Sequence, residues 1–285
     1  MHMKIARNHT VDILGVRVGT HTRQGLIQFI SDSIENGNRI VIAYINIHTL
    51  NLSLRHPWFK DFLNQAAMTY CDGYGVKLGG KLLGHRIPER YTAPDWLPEL
   101  ASTCAKNEYS MFILGAQPGI AERAARSLTD QHSHLNIAGT HHGYFDKSAE
   151  NSDNIRVIQL LNSLQIDILV LGLGTPLQEK WITENWSRLN CRVVLPVGAA
   201  LDYLAGEAWR APLWITDHGF EWLGRLISNP KRFWKRYLIG IPNFFVHVIR
   251  QRLRLTWDNR FSPPHLLITL PDEVSRDETS GWPTQ

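Results

Sequence analysis

Two short stretches hold residue types at spacings that could do chemistry. Asp72-Gly-Tyr-Gly75 places a carboxylate after a short apolar run, Met68-Thr-Tyr-Cys71, with Gly73 and Gly75 leaving room for close approach. Such an Asp can take a proton from a reacting hydroxyl, or it can cap the helix that follows. Gly172-Leu-Gly-Thr-Pro-Leu-Gln-Glu179 closes a second apolar run, Ile166-Asp-Ile-Leu-Val-Leu171, and Gln178-Glu179 begins a helix with Trp181 and Ile182 on one face. A strand that opens through a glycine turn into a helix gathers backbone amides where negative charge can bind. A lone Gly-x-Gly would be an ordinary turn. Here Gly115, Gly143-Tyr144-Phe145 and Gly198 also each sit just after an expected strand. The Gly-x-Gly-x-x-Gly fingerprint and the P-loop are both absent, which disfavours hydride transfer and nucleoside triphosphate hydrolysis. His141-His142 has no third ligand at useful spacing, so no metal site is expected.

The elements that must position these residues follow a regular rhythm. Val11 to Val18 alternates like a short hairpin, and Thr22 caps a helix through Leu26, Phe29 and Ile30 to Ile34. Ile40 to Ile45 reads as a buried strand, followed by Asn46 and a loop or helix start with His48 and Asn51. A helix through Phe59, Phe62 and Leu63 leads to the Met68–Cys71 strand. Further strands are expected at Ser110–Leu114, Leu135–Gly139 and Cys191–Val197, with helices at Ile120–Leu128 and Ser152–Leu164. Strands alternating with helices at this spacing predict an α/β fold, a Rossmann-like and mainly parallel sheet with flanking helices.

From about residue 206 the pattern changes to helices rich in Trp and Arg. The divisions expected are an α/β core over 1–205, a helical basic and aromatic appendage over 206–260, and a polar tail over 261–285 that reads as disordered. Net charge is only +4 in 285 residues, but no Asp or Glu occurs between Trp222 and Trp257, where Arg225, Lys231, Arg232, Lys235, Arg236, Arg250, Arg252 and Arg254 lie. Such a block attracts phosphates or an anionic membrane surface. Apolar Phe244-Phe-Val246 among the charges favours lipid over nucleic acid as the partner. The longest apolar stretch, Tyr237 to Ile249, contains Pro242, Asn243 and His247 and is too short to span a bilayer. Three scattered cysteines, Cys71, Cys104 and Cys191, and the lack of a signal-peptide pattern suit a reducing cytoplasm.

Taken in order, the motifs resemble the WecG/TagA/CpsF glycosyltransferases. The resemblance is carried by Asn46, Asp72-Gly-Tyr-Gly75, Arg90 with Asp95, Leu114-Gly-Ala-Gln-Pro-Gly119, Gly143-Tyr-Phe145 and Gly172 through Glu179. It continues through Gly198–Asp202, Gly206, Arg210-Ala-Pro212, Glu221-Trp222, Arg225, Asn229-Pro-Lys-Arg232 and Arg236, covering roughly residues 10 to 240. It implies transfer of an N-acetylmannosamine-type sugar, or its uronic acid, from a UDP-sugar to a polyprenyl-diphosphate-linked acceptor in bacterial surface polysaccharide synthesis. No cofactor or metal is implied, and the chain has no Asp-x-Asp diphosphate clamp. The implied setting is the inner face of the cytoplasmic membrane, with peripheral attachment and room for a homo-oligomer.

On this resemblance Asp72 is the catalytic base, while Asn46 and Arg90 orient donor and acceptor and Gln178 reaches a sugar or phosphate from the sheet rim. Arg suits a diphosphate because it offers two parallel hydrogen bonds. Gly73, Gly115, Gly143, Tyr144, Phe145, Gly174, Pro176 and Asp202 are expected around the substrates. Arg225 and Arg232 are expected to close over the donor diphosphate, and Arg236 is a further substrate-binding candidate. One departure stands out: many family members carry Thr two residues before the Asn, where this chain has Tyr44, a further candidate in the catalytic set. His48 is a candidate acid or base, or a ligand for a carboxylate-bearing sugar, against the simpler reading of a packed histidine. A non-catalytic nucleotide-sugar-binding or scaffolding subunit remains the alternative function.

Overall fold

The computed structural model describes residues 9–208 and 221–261. The expected tail from 262 onward and the Arg210-Ala-Pro212 motif lie outside the described residues. Helix α1 (Arg23–Glu35) starts on Thr22, whose side chain accepts from Gly25 N–H, as the capping signal predicts. It follows an antiparallel hairpin, β1 (Thr10–Ile13) and β2 (Val16–Gly19).

The sheet itself holds β3 (Ile40–Ile45), β4 (Met68–Cys71), β5 (Ser110–Gly115), β6 (Asn136–His141), β7 (Ile168–Gly172) and β8 (Val193–Pro196). Their order is β4-β3-β8-β7-β5-β6, and every pairing is parallel. Connecting helices are α2 (Ile47–Arg55), α3 (Pro57–Gln65), α4 (Tyr74–Leu82), α5 (Ala93–Asn107), α6 (Ile120–Gln131), α7 (Ser152–Ser163), α8 (Leu177–Asn185) and α9 (Ala200–Leu204). The fold class is the expected one. Helix α5 has no counterpart in the expected elements; Pro98 inside it and Pro94 in its first turn blur the helical pattern.

Both faces of the sheet are covered, so the inner strands β3, β8, β7 and β5 read as largely apolar runs rather than alternating ones. The two-residue period still divides them: Ala43, Ile45, Phe112, Leu114, Leu169 and Leu171 join one core cluster. Ile40, Ile42, Met111, Ile113, Ile168 and Val170 join the other. The first cluster gathers the hairpin, α2, α3, α7 and α8, and the second gathers α1, α5 and α6. After β7 the chain passes to the first face, where Trp181 and Ile182 of α8 pack. After β8 it passes to the second, where Leu201 of α9 packs. That divergence opens a crevice at the carboxyl rim of the sheet.

The C-terminal helix, Gly240–Phe261, is tied into the core. Phe244 and Val248 are fully buried in the first cluster, although Phe244 was expected on a membrane-facing surface. The reason is local: an added Cβ at Gly79 of α4 would stand 2.6 Å from Phe244 Cζ, so the absent side chain makes the ring's seat. Hydrogen bonds extend the attachment, with Asn51 Nδ2 donating to Gly240 O at 2.8 Å and Gln251 Nε2 to Asp12 Oδ1 at 2.8 Å.

Candidate active site

Asp72 leaves the end of β4 beside the end of β3, its N–H donating to Ile45 O at 2.9 Å. Across that gap Asn46 caps α2: its Oδ1 accepts from Thr49 N–H at 3.1 Å, and its own N–H donates to Thr49 Oγ1 at 2.9 Å. With Oδ1 occupied by the cap, the amide NH₂ is turned outward and donates to Asp72 Oδ2 at 3.1 Å. The cap therefore orients the carboxylate. Beside them, the missing Cβ of Gly75 leaves room for the Ile47 side chain, whose Cδ1 would otherwise stand 2.3 Å from it. Arg90 is brought to the same place because Tyr91 N–H donates to Cys71 O at 3.2 Å. Asp95, by contrast, serves structure: its Oδ2 accepts from Thr92 N–H and Oγ1 and caps α5.

These residues line one cleft together with side chains from the chain's C-terminal part. Asn46, His48, Asp72, Gly73, Tyr74 and Arg90 form one wall. Trp222 and Arg225 of helix Glu221–Ser228, Arg236 and Tyr237 of the π-helical turn Lys235–Ile239, and Ile241 form the other. The cleft is open to solvent, with a cavity volume of about 120 Å³. Arg225 also stacks over Tyr203, 5.3 Å from the ring centroid, which joins its helix to α9. Arg232 lies on helix Pro230–Trp234, and its side chain is outside those described. His48 is mostly buried here; burial, then the charges of Arg236 and Arg55, push it down to about 4. It is a neutral imidazole at neutral pH, able to donate one hydrogen bond and accept another.

A larger cavity, of about 680 Å³, follows the carboxyl ends of β5, β6, β7 and β8. Gly143, Tyr144, Phe145, Gly174 and Asp202 line it, with Ala116, Lys147, Leu177 and Gly198 beside them. Tyr144 is 66% exposed and free to lie against a flat ligand. Lys147, not anticipated, donates to Gly143 O and Phe145 O and stands 4.5 Å from the Phe145 ring centroid, holding the loop closed on itself. Gly115 does not line the cavity; a Cβ there would stand 2.4 Å from Gly172 O, so it permits adjacent strand ends to meet. Pro176 is the N-cap residue of α8.

Between the cleft and the cavity lies a buried polar network. Gln178, expected at the rim facing substrate, is fully buried because it shares the inward face of α8 with Trp181 and Ile182. Its Oε1 accepts from Gly198 N–H at 3.0 Å, and its Nε2 donates to Glu179 Oε1 at 2.9 Å and to Tyr44 Oη at 3.3 Å. Thr175 Oγ1 hydrogen-bonds Tyr44 Oη and donates to Glu179 Oε1 at 2.8 Å. Glu179 Oε2 has no partner among the described residues, and burial raises the carboxyl above its ordinary value. Burial, with the Glu179 charge nearby, likewise keeps the Tyr44 phenol protonated. Tyr44 and Gln178 thus pin the turns after β7 and β8, and neither is placed to take a proton from substrate.

Sequence reasoning missed Thr175 and Glu179 as partners of Tyr44, and Ile47, Tyr74 and Ile241 in the cleft. Trp222 and Tyr237, which also line the cleft, belong to the basic, aromatic stretch whose composition suggests lipid. Their signal was present in the mixture of aromatic and basic residues, but not the direction each faces. Among the described residues no group of three or more His, Cys, Asp or Glu could hold a metal ion.

Comparison with known proteins points the same way as the motifs. The model of the family described as Glycosyl transferase WecG/TagA/CpsF matches residues 11–258. Proteins named N-acetylglucosaminyldiphosphoundecaprenol N-acetyl-beta-D-mannosaminyltransferase, from Staphylococcus aureus strains MRSA252 and MW2, are each 27% identical over 247 residues. The aligned region covers 86% of this chain and 94% of each relative.

Proposed function

The chain belongs to the WecG/TagA/CpsF glycosyltransferase family, and from that premise we propose that it moves an N-acetylmannosamine-type sugar, or its uronic acid, from UDP to a polyprenyl-diphosphate-linked acceptor sugar. The observation that carries this reading is the Asp72 carboxylate, held by Asn46 in a cleft that Arg90, Arg225 and Arg236 also enter. In the proposed reaction Asp72 takes the proton of the acceptor hydroxyl as its oxygen attacks the anomeric carbon. The bond from that carbon to the donor diphosphate breaks on the opposite face, inverting the centre, and UDP departs with the electron pair. The arginines balance the charge that grows on the leaving diphosphate, a task that needs no metal cofactor. The glycine-lined rim cavity, with Tyr144 at its mouth and Asp202 on its wall, suits the nucleotide half of the donor.

The reaction sets the location. A lipid-linked acceptor keeps the enzyme at a membrane, and no described helix is long and apolar enough to cross one. Peripheral attachment to the inner face through the basic segment 206–260 is the arrangement we propose. Purified protein tested for UDP release against UDP-N-acetylmannosamine, its uronic acid, UDP-N-acetylglucosamine and UDP-glucose, each with a polyprenyl-diphosphate-sugar, checks the reading. Acceptor-dependent release from one of the first two is expected. Donor binding without any turnover would instead make the chain a scaffolding subunit.

A further inference from the structure

Helix α4 has a face that the chemistry above leaves unused. Its inner side is settled, with Val76, Gly79 and Leu83 buried and Phe244 seated on Gly79. On its outer side Tyr74, Leu78 and Leu82 are 45%, 40% and 43% exposed. Residues four apart lie one above another on a helix, so the three make a single apolar ridge about 12 Å long. Scattered exposed leucines are ordinary, but these are in register. The ridge also begins inside the cleft: Tyr74 lines it, two residues after Asp72 and alongside Arg90, Arg225 and Arg236. Helix α4 starts on Gly73 with no side-chain cap, so the positive end of its dipole adds to those arginines.

We propose that this ridge seats the part of the acceptor's polyprenyl chain nearest the diphosphate. The inference rests on reading the protein as a transferase for a polyprenyl-diphosphate-linked sugar. An acceptor whose sugar hydroxyl meets Asp72 carries its own diphosphate one sugar's length away; the uncapped start of α4 meets that second diphosphate while the arginines serve the donor's, and the hydrocarbon must leave from there. Tyr74, Leu78 and Leu82 offer the adjoining apolar surface. A bilayer would also cover exposed leucines, but it would not require the ridge to start at the catalytic carboxylate. Continuity with the cleft selects the acceptor's own chain.

The test is the double variant Leu78→Gln/Leu82→Gln, assayed in detergent without a bilayer, using two acceptors with the same diphosphate-sugar head. One carries a long polyprenyl chain, the other a chain cut to a few carbons. The variant should raise KM for the long-chain acceptor on the order of tenfold through lost apolar contact. It should leave kcat, donor KM and short-chain KM unchanged, and Leu78→Met/Leu82→Met should restore the long-chain value. An equal KM change with both acceptors, or none with the long one, overturns the proposal. So does weakened vesicle binding with unchanged KM, which would give the ridge to the bilayer. If the unaltered protein turns over neither acceptor, the transferase reading itself fails, a result distinct from these.

Discussion

At the scale of single residues the site turns on one hydrogen bond, from Asn46 Nδ2 to Asp72 Oδ2. Asp72→Asn keeps the shape but removes the base, so turnover should fall by about two to four orders of magnitude with donor binding nearly intact. Steady-state kinetics beside a UDP-binding titration would check it, and near-normal turnover would sink the assignment. Asn46→Ala should combine two losses, about 1 kcal/mol of helix capping and the orientation of Asp72. His48 carries a pH signature. Its folded value of about 4 lies below the ordinary 6.5, so the unfolded chain takes up the proton first as pH falls. Its contribution is complete above about 6.5, declines as pH drops towards 4 and is flat below that, a total of at most about 3 kcal/mol. His48→Gln should flatten this part of the stability profile, measured by denaturant melts at pH 4.5 and pH 7; an unchanged slope would show that His48 is not the group responsible.

At the scale of elements the decisive contact is α4 against the C-terminal helix. Gly79→Ala puts a Cβ 2.6 Å from Phe244 Cζ and 3.0 Å from Cε1, and the buried ring has little room to move. The expected cost is about 1–3 kcal/mol, offset in part by the better helix propensity of Ala. Activity should fall as well, because Arg236 sits in the turn that leads into the same helix. Adding Phe244→Leu should recover part of both losses, which a double-mutant cycle of melts and rates would reveal. Additive effects would mean that the two residues do not communicate. The appendage is therefore not a freely detachable unit: removing the chain from Ile227 onward also removes Phe244 and Val248 and bares their seats on the core.

At the scale of the whole molecule, charge and apolar surface share one region. Ile227, Leu238, Ile239, Ile249, Leu253 and Trp257 are each more than half exposed in a segment that holds no acid between Trp222 and Trp257. Each basic residue near an anionic surface contributes about 1 kcal/mol, so reversible membrane binding is expected. Co-sedimentation with anionic vesicles should weaken as salt rises, and binding indifferent to both lipid charge and salt would contradict it. Arginine-based charge balance makes a second prediction at this scale. Transferase activity should survive excess EDTA, whereas loss on chelation with rescue by a divalent ion would require a metal in the site.

The sequence by itself determined the parallel α/β sheet, because buried strands flanked by helices leave unmistakable apolar runs ended by glycine turns. It also determined Asn46, Asp72 and Arg90 as a group, since all three follow from strand ends or from an ordered set of motifs. Only the tertiary structure decided what faces what. Gln178 and Tyr44 carry polar groups that suit a substrate, yet each is turned beneath the rim, where Gly198 N–H, Thr175 and Glu179 complete their hydrogen bonds. Phe244 and Trp222 look alike in a basic, aromatic stretch, but one fills the space left by Gly79 and the other lines the cleft. Local patterning records that a side chain is apolar or polar. Which surface receives it depends on partners far away in the chain, and those exist only once the sheet has brought them together.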